Sequence, residues 1–226
     1  MNRIKVLLVI AAAAMVVGFS IFKPAGPVAI VKKVVNDVKF KLADQGSWES
    51  AKASQMLSDR DEVKTGPKSL AIILFTDGSG QLRVRENAVL QIYGQKENKQ
   101  LNKNTLITNG SVSFDVNKQA DEEFKFTTPT AVASIRGTGG LIGTNQDSTT
   151  LTLSHGQVLF NSLLPGGGGG TINGGQTGVI YRDGRFTQRN SNEEDQSRLN
   201  AANQVNTKKV KIKVGSRILE IEYLSQ

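Results

Sequence analysis

Short segments in which apolar and polar residues alternate recur along most of this chain, and turn signals separate them. In "SVSFDV", Val112, Phe114 and Val116 fall on one face of a strand, and the polar residues between them fall on the other. Asp77-Gly78 and Asn109-Gly110 are turn pairs that typically join neighbouring strands. The segments follow one another at roughly ten-residue spacing, which predicts an all-β domain of either the solenoid-like or the sandwich kind.

Two further segments refine this prediction. The continuous apolar run Leu70–Phe75 indicates a strand that is buried on both faces, so it is expected near the centre of a sheet. The chain ends on "KVKIKVGSRILEIEYL", where a turn at Gly215-Ser216 would place Lys211 opposite Glu220. The same turn would place apolar residues opposite one another on the other face, so residues 208–226 are predicted to form a C-terminal β-hairpin.

Polar and glycine-rich segments are predicted to separate these strands. Residues 94–104 are expected to form a polar loop, and the five glycines after Pro165 a flexible excursion. Residues 190–207, rich in Asn and Gln, are typical of a linker or of a solvated helix. The predicted organisation is a signal or anchor segment at 1–25, a β domain at 37–189, a polar linker at 190–207 and the hairpin at 208–226.

The N-terminal segment combines a short basic start with an apolar run of 17 residues from Val6 to Phe22. A membrane-spanning helix needs about 17 to 25 residues, and the apolar part of a cleaved signal peptide has about 7 to 15. The length favours a retained single-span anchor, while Gly18 and Ser20 leave cleavage after Ser20 as the alternative. In either case the remaining residues are expected outside the cytoplasmic membrane, on its periplasmic side, with the N-terminal segment contacting the inner membrane.

The charge and composition exclude some classes of protein. The net charge is +8, and Arg3 and Lys5 contribute two of these charges, which leaves +6 for the chain after Phe22. The basic residues are scattered and aromatic residues make up only 6%, so no nucleic-acid partner is predicted. A modest positive charge is compatible with negatively charged lipid headgroups or wall polymers nearby.

Catalytic chemistry has few possible carriers in this sequence. The chain has one histidine, His155, and no cysteine, so a site built from imidazole and thiolate ligands is excluded by count. The acidic groups at 59–62 and 121–123 lack the spacing of a calcium loop and are interpreted as solvated loop charges. The protein is therefore predicted to be no enzyme and to hold no cofactor and no metal.

The stretch "TPTAVASIRGTGG", residues 128–140, places an arginine directly before glycines. Such a pattern is compatible with an anion site and equally with a tight turn in a β protein. Together with two other blocks it resembles the FecR domain, an extracytoplasmic module of bacterial envelope proteins, from about Asp44 to about Arg189. The other blocks are "GSWESAKASQMLSDRDEVKTGPKSLAIILFTDGSGQLRVRENAVLQI" and "TTLTLSHGQVLF". The signature positions of this chain are Trp48, Asp61, Thr65, Gly66, Asp77, Gly78, Ser79, Pro129, Arg136, Gly137, Thr138 and Gly156.

The resemblance implies a β-rich domain in which these positions are mainly structural. Pro129 would order the entry to a strand, Arg136 would tie neighbouring strands by hydrogen bonds to carbonyls, and Gly137 would supply a tight turn. The sensor for which the family is named has a cytoplasmic helical region before its membrane span, whereas five residues precede the apolar run here.

Two functions follow from the resemblance. The first is a non-enzymatic binding or scaffold module that contacts envelope proteins, or polysaccharide such as peptidoglycan. The alternative is a regulatory accessory in FecR-type transmembrane signalling that works with a separate membrane protein.

Overall fold

A computed structural model describes residues 26–43, 45–97, 100–118, 124–205, 207–214 and 217–224. The first strands along the chain are β1 Ala29–Val35, β2 Val38–Lys41, β3 Glu49–Ser50, β4 Met56–Leu57, β5 Glu62–Thr65, β6 Leu70–Phe75, β7 Gly80–Val84, β8 Val89–Glu97 and β9 Gln100–Val116. They are followed by β10 Phe124–Thr127, β11 Ala131–Ile135, β12 Thr138–Thr144, β13 Ser148–His155, β14 Gln157–Ser162, β15 Gly169–Asn173, β16 Gln176–Tyr181 and β17 Phe186–Asn190. The described elements end with helix α1 Glu193–Asn203 and strands β18 Thr207–Val214 and β19 Arg217–Leu224. The prediction of a β-rich fold is confirmed.

Strands β1 to β17 form one hydrogen-bonded network that is folded into two facing layers. In spatial order, the front sheet consists of β4, β1, β6, β7, the second half of β9, β12, β13, β16 and β17. The back sheet consists of β3, β2, β5, β8, the first half of β9, β10, β11, β14 and β15. The pairing of β9 with β10 is parallel and the other pairings are antiparallel.

Strand β9 belongs to both layers and passes from the back sheet to the front sheet near Gly110. Ile107 pairs with β8 of the back sheet, whereas Val112 pairs with β7 and β12 of the front sheet. Gly110 has φ +87°, and a Cβ there would lie 2.5 Å from the Cα of Ala88. Only glycine accommodates both this backbone conformation and this close approach, so Gly110 allows the strand to turn the corner.

Large apolar side chains on the inner faces hold the two layers together. Phe114 of the front sheet and Phe126 of the back sheet have ring centroids 4.9 Å apart. Phe75 and Phe124 make a second contact between the layers, edge to face at 5.1 Å. These phenylalanines are at most 3% exposed, so the core lies between the sheets and extends along their length.

After β9 the chain adds strands to the two layers in turn. The pair β10–β11 extends the back sheet and β12–β13 the front sheet, and then β14–β15 and β16–β17 repeat the alternation. The architecture is thus a two-layer sandwich that grows by sequential stacking of strand pairs. The central placement expected for Leu70–Phe75 is observed, since β6 lies between β1 and β7.

Three segments differ from their sequence predictions. Residues 94–104 were expected to be a polar loop, but β8 and β9 pair there from Gly94–Lys103 out to Glu97–Gln100. The glycine run was expected to be irregular, but Gly169 and Gly170 belong to β15, where Phe186 packs against Gly170. The expected turn pair Asn109-Gly110 lies within strand β9. In residues 190–207, where the sequence left a linker or a solvated helix open, the structure has helix α1, which begins with a capping box between Asn192 and Asp195.

Strands β18 and β19 are not part of this hydrogen-bonded network. Strands β18 and β19 pair only with each other, and their Cα partners include Lys211 with Glu220 and Ile212 with Leu219. The predicted turn at Gly215-Ser216 and the apolar N-terminal run lie outside the described residues. In the part of the chain that is described, no helix has the length and apolar character needed to span a bilayer.

Candidate binding site

Asp61 is a buried clamp on two loops, which corrects its interpretation as a solvated charge. Its side-chain oxygens accept hydrogen bonds from the backbone N–H of Ala43 at 3.0 Å and of Ser58 at 2.8 Å. The residue is 2% exposed, and its backbone carbonyl accepts a bond from the N–H of Ile92. The carboxylate thus satisfies two partly buried backbone donors from different loops. Glu62 next to it forms an ion pair with Lys41 at 2.8 Å.

Thr65 and Gly66 fasten the other end of the same strand. The hydroxyl of Thr65 donates to the carbonyl of Arg85 at 2.5 Å and accepts from the N–H of Ala88 at 3.0 Å. A Cβ on Gly66 would lie 2.9 Å from a carboxylate oxygen of Asp37. The bonds of Thr65 join strand β5 to the turn between β7 and β8, and Gly66 lies against Asp37 between β1 and β2.

Asp77, Gly78 and Ser79 form the hairpin turn between β6 and β7. Asp77 accepts from the N–H of Ser79 at 2.9 Å and from the ammonium of Lys103, whose side chain is fully buried. Burial alone would raise the pKa of Asp77, but the bonds from Lys103 and Ser79 outweigh it and leave that pKa below its ordinary value. Lys103 was missed at the sequence level because it lies in the segment taken as a polar loop.

Pro129 lies between two threonines that belong to a buried hydroxyl cluster. The hydroxyl of Thr149, which is fully buried, lies 2.7 Å from those of Thr128 and Thr130 and 3.0 Å from that of Thr144. Thr128 also bonds the N–H and the carbonyl of Ala131. The "TPT" motif therefore connects the start of β11 to β13 in the opposite layer.

The "RGT" motif occupies the tight turn between β11 and β12. Gly137 has φ +66°, Thr138 is buried, and Arg136 is exposed. Gly156, at the turn between β13 and β14, packs against this motif with φ +83°. The proposed bonds of Arg136 to neighbouring carbonyls stay a prediction.

Gly156 offers a direct test of this packing. A Cβ at this position would lie 2.3 Å from Cγ2 of Thr138, whereas a Cβ on Gly78 would meet nothing within 4 Å. Both glycines have positive φ, so Gly78→Ala reports the backbone cost alone. We expect Gly156→Ala to lower the free energy of unfolding by about 1–3 kcal/mol more than Gly78→Ala does, as measured by urea denaturation. Equal losses would contradict the close packing.

Trp48 is a half-buried residue beside two lysines on the outer side of the back sheet. The ammonium groups of Lys41 and Lys64 lie 5.2 and 6.0 Å from its ring centroid. Such contacts contribute about 0.5–1 kcal/mol at an exposed site, so they hold the short strand β3 onto β2.

The single histidine has a serine and an aspartate near it, but their arrangement does not activate a nucleophile. Nδ1 of His155 lies 3.1 Å from the hydroxyl of Ser154, and Nε2 lies 4.0 Å from a carboxylate oxygen of Asp115. Ser154 donates its proton to the carbonyl of Gly139 at 2.8 Å, and His155 and Asp115 are both exposed. Among the described residues no group of three or more His, Asp or Glu side chains could hold a metal ion.

Helix α1 lies across the outer face of the front sheet. Its residues Leu199 and Ala202 are buried against the sheet, and the hydroxyl of Ser113 donates a hydrogen bond to the side-chain oxygen of Asn203. At its first turn, Arg189 donates to both carboxylate oxygens of Asp195. The helix therefore forms one wall of a groove on the outer face of the front sheet.

The groove has a volume of about 580 Å³, within the usual range for ligand sites. Its floor is a row of three neighbours, Ser111, Gly143 and Thr150, on the adjacent strands β9, β12 and β13. One wall is helix α1, and the end is closed by the turns that carry Arg85 and Asn145. The sequence-predicted signature residues are absent from its lining, so the groove is a feature that the sequence did not reveal.

The acid sensitivity of helix α1 can be predicted from Asp195. Burial alone would raise the pKa of Asp195, but bonds from Arg189, the N–H of Asn192 and Thr177 hold it below its ordinary value. A lowered pKa adds stability at pH values above the unfolded pKa of about 4, and this stability is lost as the pH falls through the folded pKa. We expect Asp195→Asn to cost about 1 kcal/mol at pH 7 and progressively less below pH ~4, in urea denaturation across pH. A pH-independent difference would contradict this.

These observations define a two-layer β domain whose signature turns are structural and whose front face carries a groove. Residues 61–159 match the family described as FecR protein, so this part of the chain is a FecR domain. Two crystal structures of a Parabacteroides distasonis protein described as "a putative anti-sigma factor" share the fold at 12% sequence identity, with a TM-score of 0.50. The similarity covers 60% of this chain and 62% of that protein's chain. A comparison with curated proteins gave no match.

Proposed function

We propose that the protein is a regulatory accessory in FecR-type transmembrane signalling and that it acts with a separate membrane protein. The observation that carries this proposal is the FecR domain at residues 61–159. The likeness to the solved structures described as anti-sigma factors supports it at the level of the fold. Between the two functions that the sequence suggested, these comparisons favour the regulatory accessory over the general binding or scaffold module.

A regulatory function agrees with the chemistry of the described residues. The FecR family is regulatory, which is consistent with the prediction of a protein that is not an enzyme. The side chains of Asp61, Thr65 and Asp77 bond to backbone groups of the same domain, so they maintain its shape. A signalling domain of this kind transmits an input through contacts on its surface, and a stable two-layer body can present such a surface.

The proposal includes a location. The apolar run Val6–Phe22 supports an anchor in the inner membrane, with the β domain on the periplasmic side. A partner would then be a membrane protein or an envelope protein that reaches the same space. Contacts to wall polysaccharide belong to the scaffold function and are the competing outcome.

In-cell photocrosslinking combined with transcript measurement tests the function. A photoreactive amino acid replaces Thr150 in the groove or, as a matched control, Leu159 on the outer face of the back sheet, which is 50% exposed. We expect crosslinks to a membrane protein, and we expect deletion of this chain to change transcription of the genes that this partner controls. The same crosslinks are then sought after removal of residues 208–226, which shows whether the C-terminal segment is needed. Recovery of polysaccharide alone, with no transcriptional change, would overturn the proposal.

A further inference from the structure

Some polar side chains of the groove have hydrogen-bond partners within the protein, and three hydroxyls have none among the described residues. The hydroxyls of Ser111, Ser148 and Thr150 line the groove, and no described residue forms a side-chain hydrogen bond with them. All three residues are half-buried, so water reaches them only from the open side. Hydroxyls in such a position can donate to and accept from the main chain or the carboxylate of a bound molecule.

Arg85 provides a cation at the end of the same groove. Its guanidinium is half-buried and makes one long hydrogen bond, of 3.4 Å, to the carbonyl of Gln204. In the described part of the chain no carboxylate lies within ion-pair distance of it, although Glu86 is its neighbour in sequence. Burial lowers its pKa, Glu86 opposes that effect, and Arg83 adds to it. A partly desolvated guanidinium without a paired carboxylate is complemented well by the carboxylate of a ligand.

The other charged side chains at the groove already have partners. Arg198 pairs with Glu194 at 2.5 Å, Asp195 pairs with Arg189, and Glu86 accepts from the N–H of Lys68 at 2.6 Å. The hydrogen bond from Lys68 does not neutralise Glu86, so the positive charge available to a ligand is local to the half-buried guanidinium of Arg85, which has no ion pair among the described residues.

Gly143 gives the groove floor its depth. It lies between Ser111 and Thr150, which neighbouring strands hold about 9.5 Å apart. A Cβ at Gly143 would meet nothing closer than the Cβ of Ser111 at 3.5 Å, which is an ordinary contact. The fold therefore does not require glycine at this position, and the missing side chain leaves a notch between two hydroxyls.

The lining also indicates which class of ligand fits. It contains Asn, Ser, Thr and Arg side chains and, within the described residues, no aromatic ring on which a sugar could stack. Amide and hydroxyl groups in a row are instead suited to the alternating N–H and C=O groups of an extended peptide. We propose that this groove binds an extended peptide segment that carries a carboxylate, with Arg85 pairing the carboxylate and the main chain lying over Gly143.

This inference rests on the proposed function, because the peptide would be a segment of the signalling partner. In the bound state, Ser111 and Thr150 would bond the peptide main chain on either side of the notch. Helix α1 would form the wall against which the peptide packs, so docking of the helix and binding of the peptide would stabilise each other.

Selection from a displayed library of random heptapeptides tests the inference. The bait is the full chain, and the library is first depleted on the empty support, so that the Gly143→Leu variant, which fills the notch, is kept for the affinity measurement. We expect the enriched peptides to share an Asp, a Glu or a free C-terminal carboxylate at one position. Their affinities are then measured by fluorescence polarisation on the full chain and its variants.

We expect Arg85→Gln and Gly143→Leu each to weaken binding of an enriched peptide about 10-fold or more. Arg185→Gln removes an exposed arginine elsewhere, and Ser134→Leu places a leucine on the outer face of the back sheet, so both controls should bind normally. Thermal unfolding of every variant shows whether it is folded, and Thr150→Val, which keeps the shape of threonine, supplies a second test that does not disturb helix α1.

Three outcomes would overturn the inference: no enrichment, enriched peptides without a carboxylate preference, or equal binding by Gly143→Leu. A hexasaccharide of alginate is assayed in parallel, and Arg85-dependent binding of this acidic sugar without peptide binding would replace the peptide with a glycan. Because transcription after deletion of this chain reports the regulatory function independently of the groove, a transcriptional change together with a failed peptide selection and no crosslinks from Thr150 would reject the groove and keep the function.

Discussion

Replacing Phe126 with alanine is expected to lower the free energy of unfolding by about 3–5 kcal/mol, which makes it the largest single effect that we predict. Phe126 is fully buried, and its ring lies 4.9 Å from Phe114 in the other layer and 5.2 Å from Phe124 in its own. The loss combines the transfer of a large apolar group with a cavity that two extended sheets cannot easily collapse. Urea denaturation of the full chain, followed by tryptophan fluorescence and circular dichroism, measures it.

Two matched variants make this prediction specific to the contact between layers. Phe126→Leu retains most of the buried volume and should cost much less. Leu159→Ala removes an apolar side chain from the outer face of the back sheet, where Leu159 is 50% exposed, and should change stability by no more than about 0.5 kcal/mol. If Phe126→Ala and Leu159→Ala had equal costs, the two sheets could not be packed face to face as described.

Replacing Asp61 with alanine should lower the free energy of unfolding by about 2–4 kcal/mol. The variant removes a buried carboxylate and leaves the partly buried N–H groups of Ala43 and Ser58 without their acceptor, and an unsatisfied donor costs about 1–3 kcal/mol when it is buried. Asp59→Ala is the matched control, because Asp59 is more exposed and accepts one bond, from the N–H of Gly94 at 3.0 Å. The same denaturation experiment measures both variants.

The effect of Asp61→Asn separates a structural role from a charge-dependent one. Asparagine retains an acceptor oxygen and the shape of the side chain, so it should recover part of the loss. If Asp61→Ala left stability unchanged but abolished partner crosslinking, Asp61 would belong to a binding surface, and its assignment as a loop clamp would be wrong.

The structural role of Asp61 could not be predicted from the sequence motif in which it lies. Asp61 lies close to Asp59 and Glu62 in sequence, and clustered acidic residues normally lie in solvated loops. The loops that bring Ala43 and Ser58 to its carboxylate are distant in sequence or too irregular to predict. Burial of Asp61 is therefore a tertiary property, since it requires two separate segments to converge on one side chain.

Lys103 and helix α1 are further cases in which the surroundings of a residue could not be predicted from the sequence alone. Lys103 lies in a run of polar residues, and its buried ammonium pairs with Asp77 in a hairpin turn of the front sheet. Helix α1 has little apolar character of its own, and Leu199 and Ala202 are buried by the polar face of the front sheet beneath them. A segment of this composition is helical here because Asn192 caps it and because Leu199 and Ala202 pack on the front sheet. Both packing contacts are with residues that are distant in sequence.

Strand β9 separates what the sequence alone determined from what the tertiary structure decided. The alternation in "SVSFDV" determined that Val112, Phe114 and Val116 face the core, because a strand has a side-chain period of two and one face must be removed from water. The same alternation assigned Ser111, Ser113 and Asp115 to the outer face, yet Ser113 is fully buried, Ser111 lies in a groove and Asp115 is exposed. Their surroundings differ because helix α1, some ninety residues later in the chain, crosses only part of that face. Periodicity records which way a side chain points, whereas only the packing of distant elements decides what it meets there.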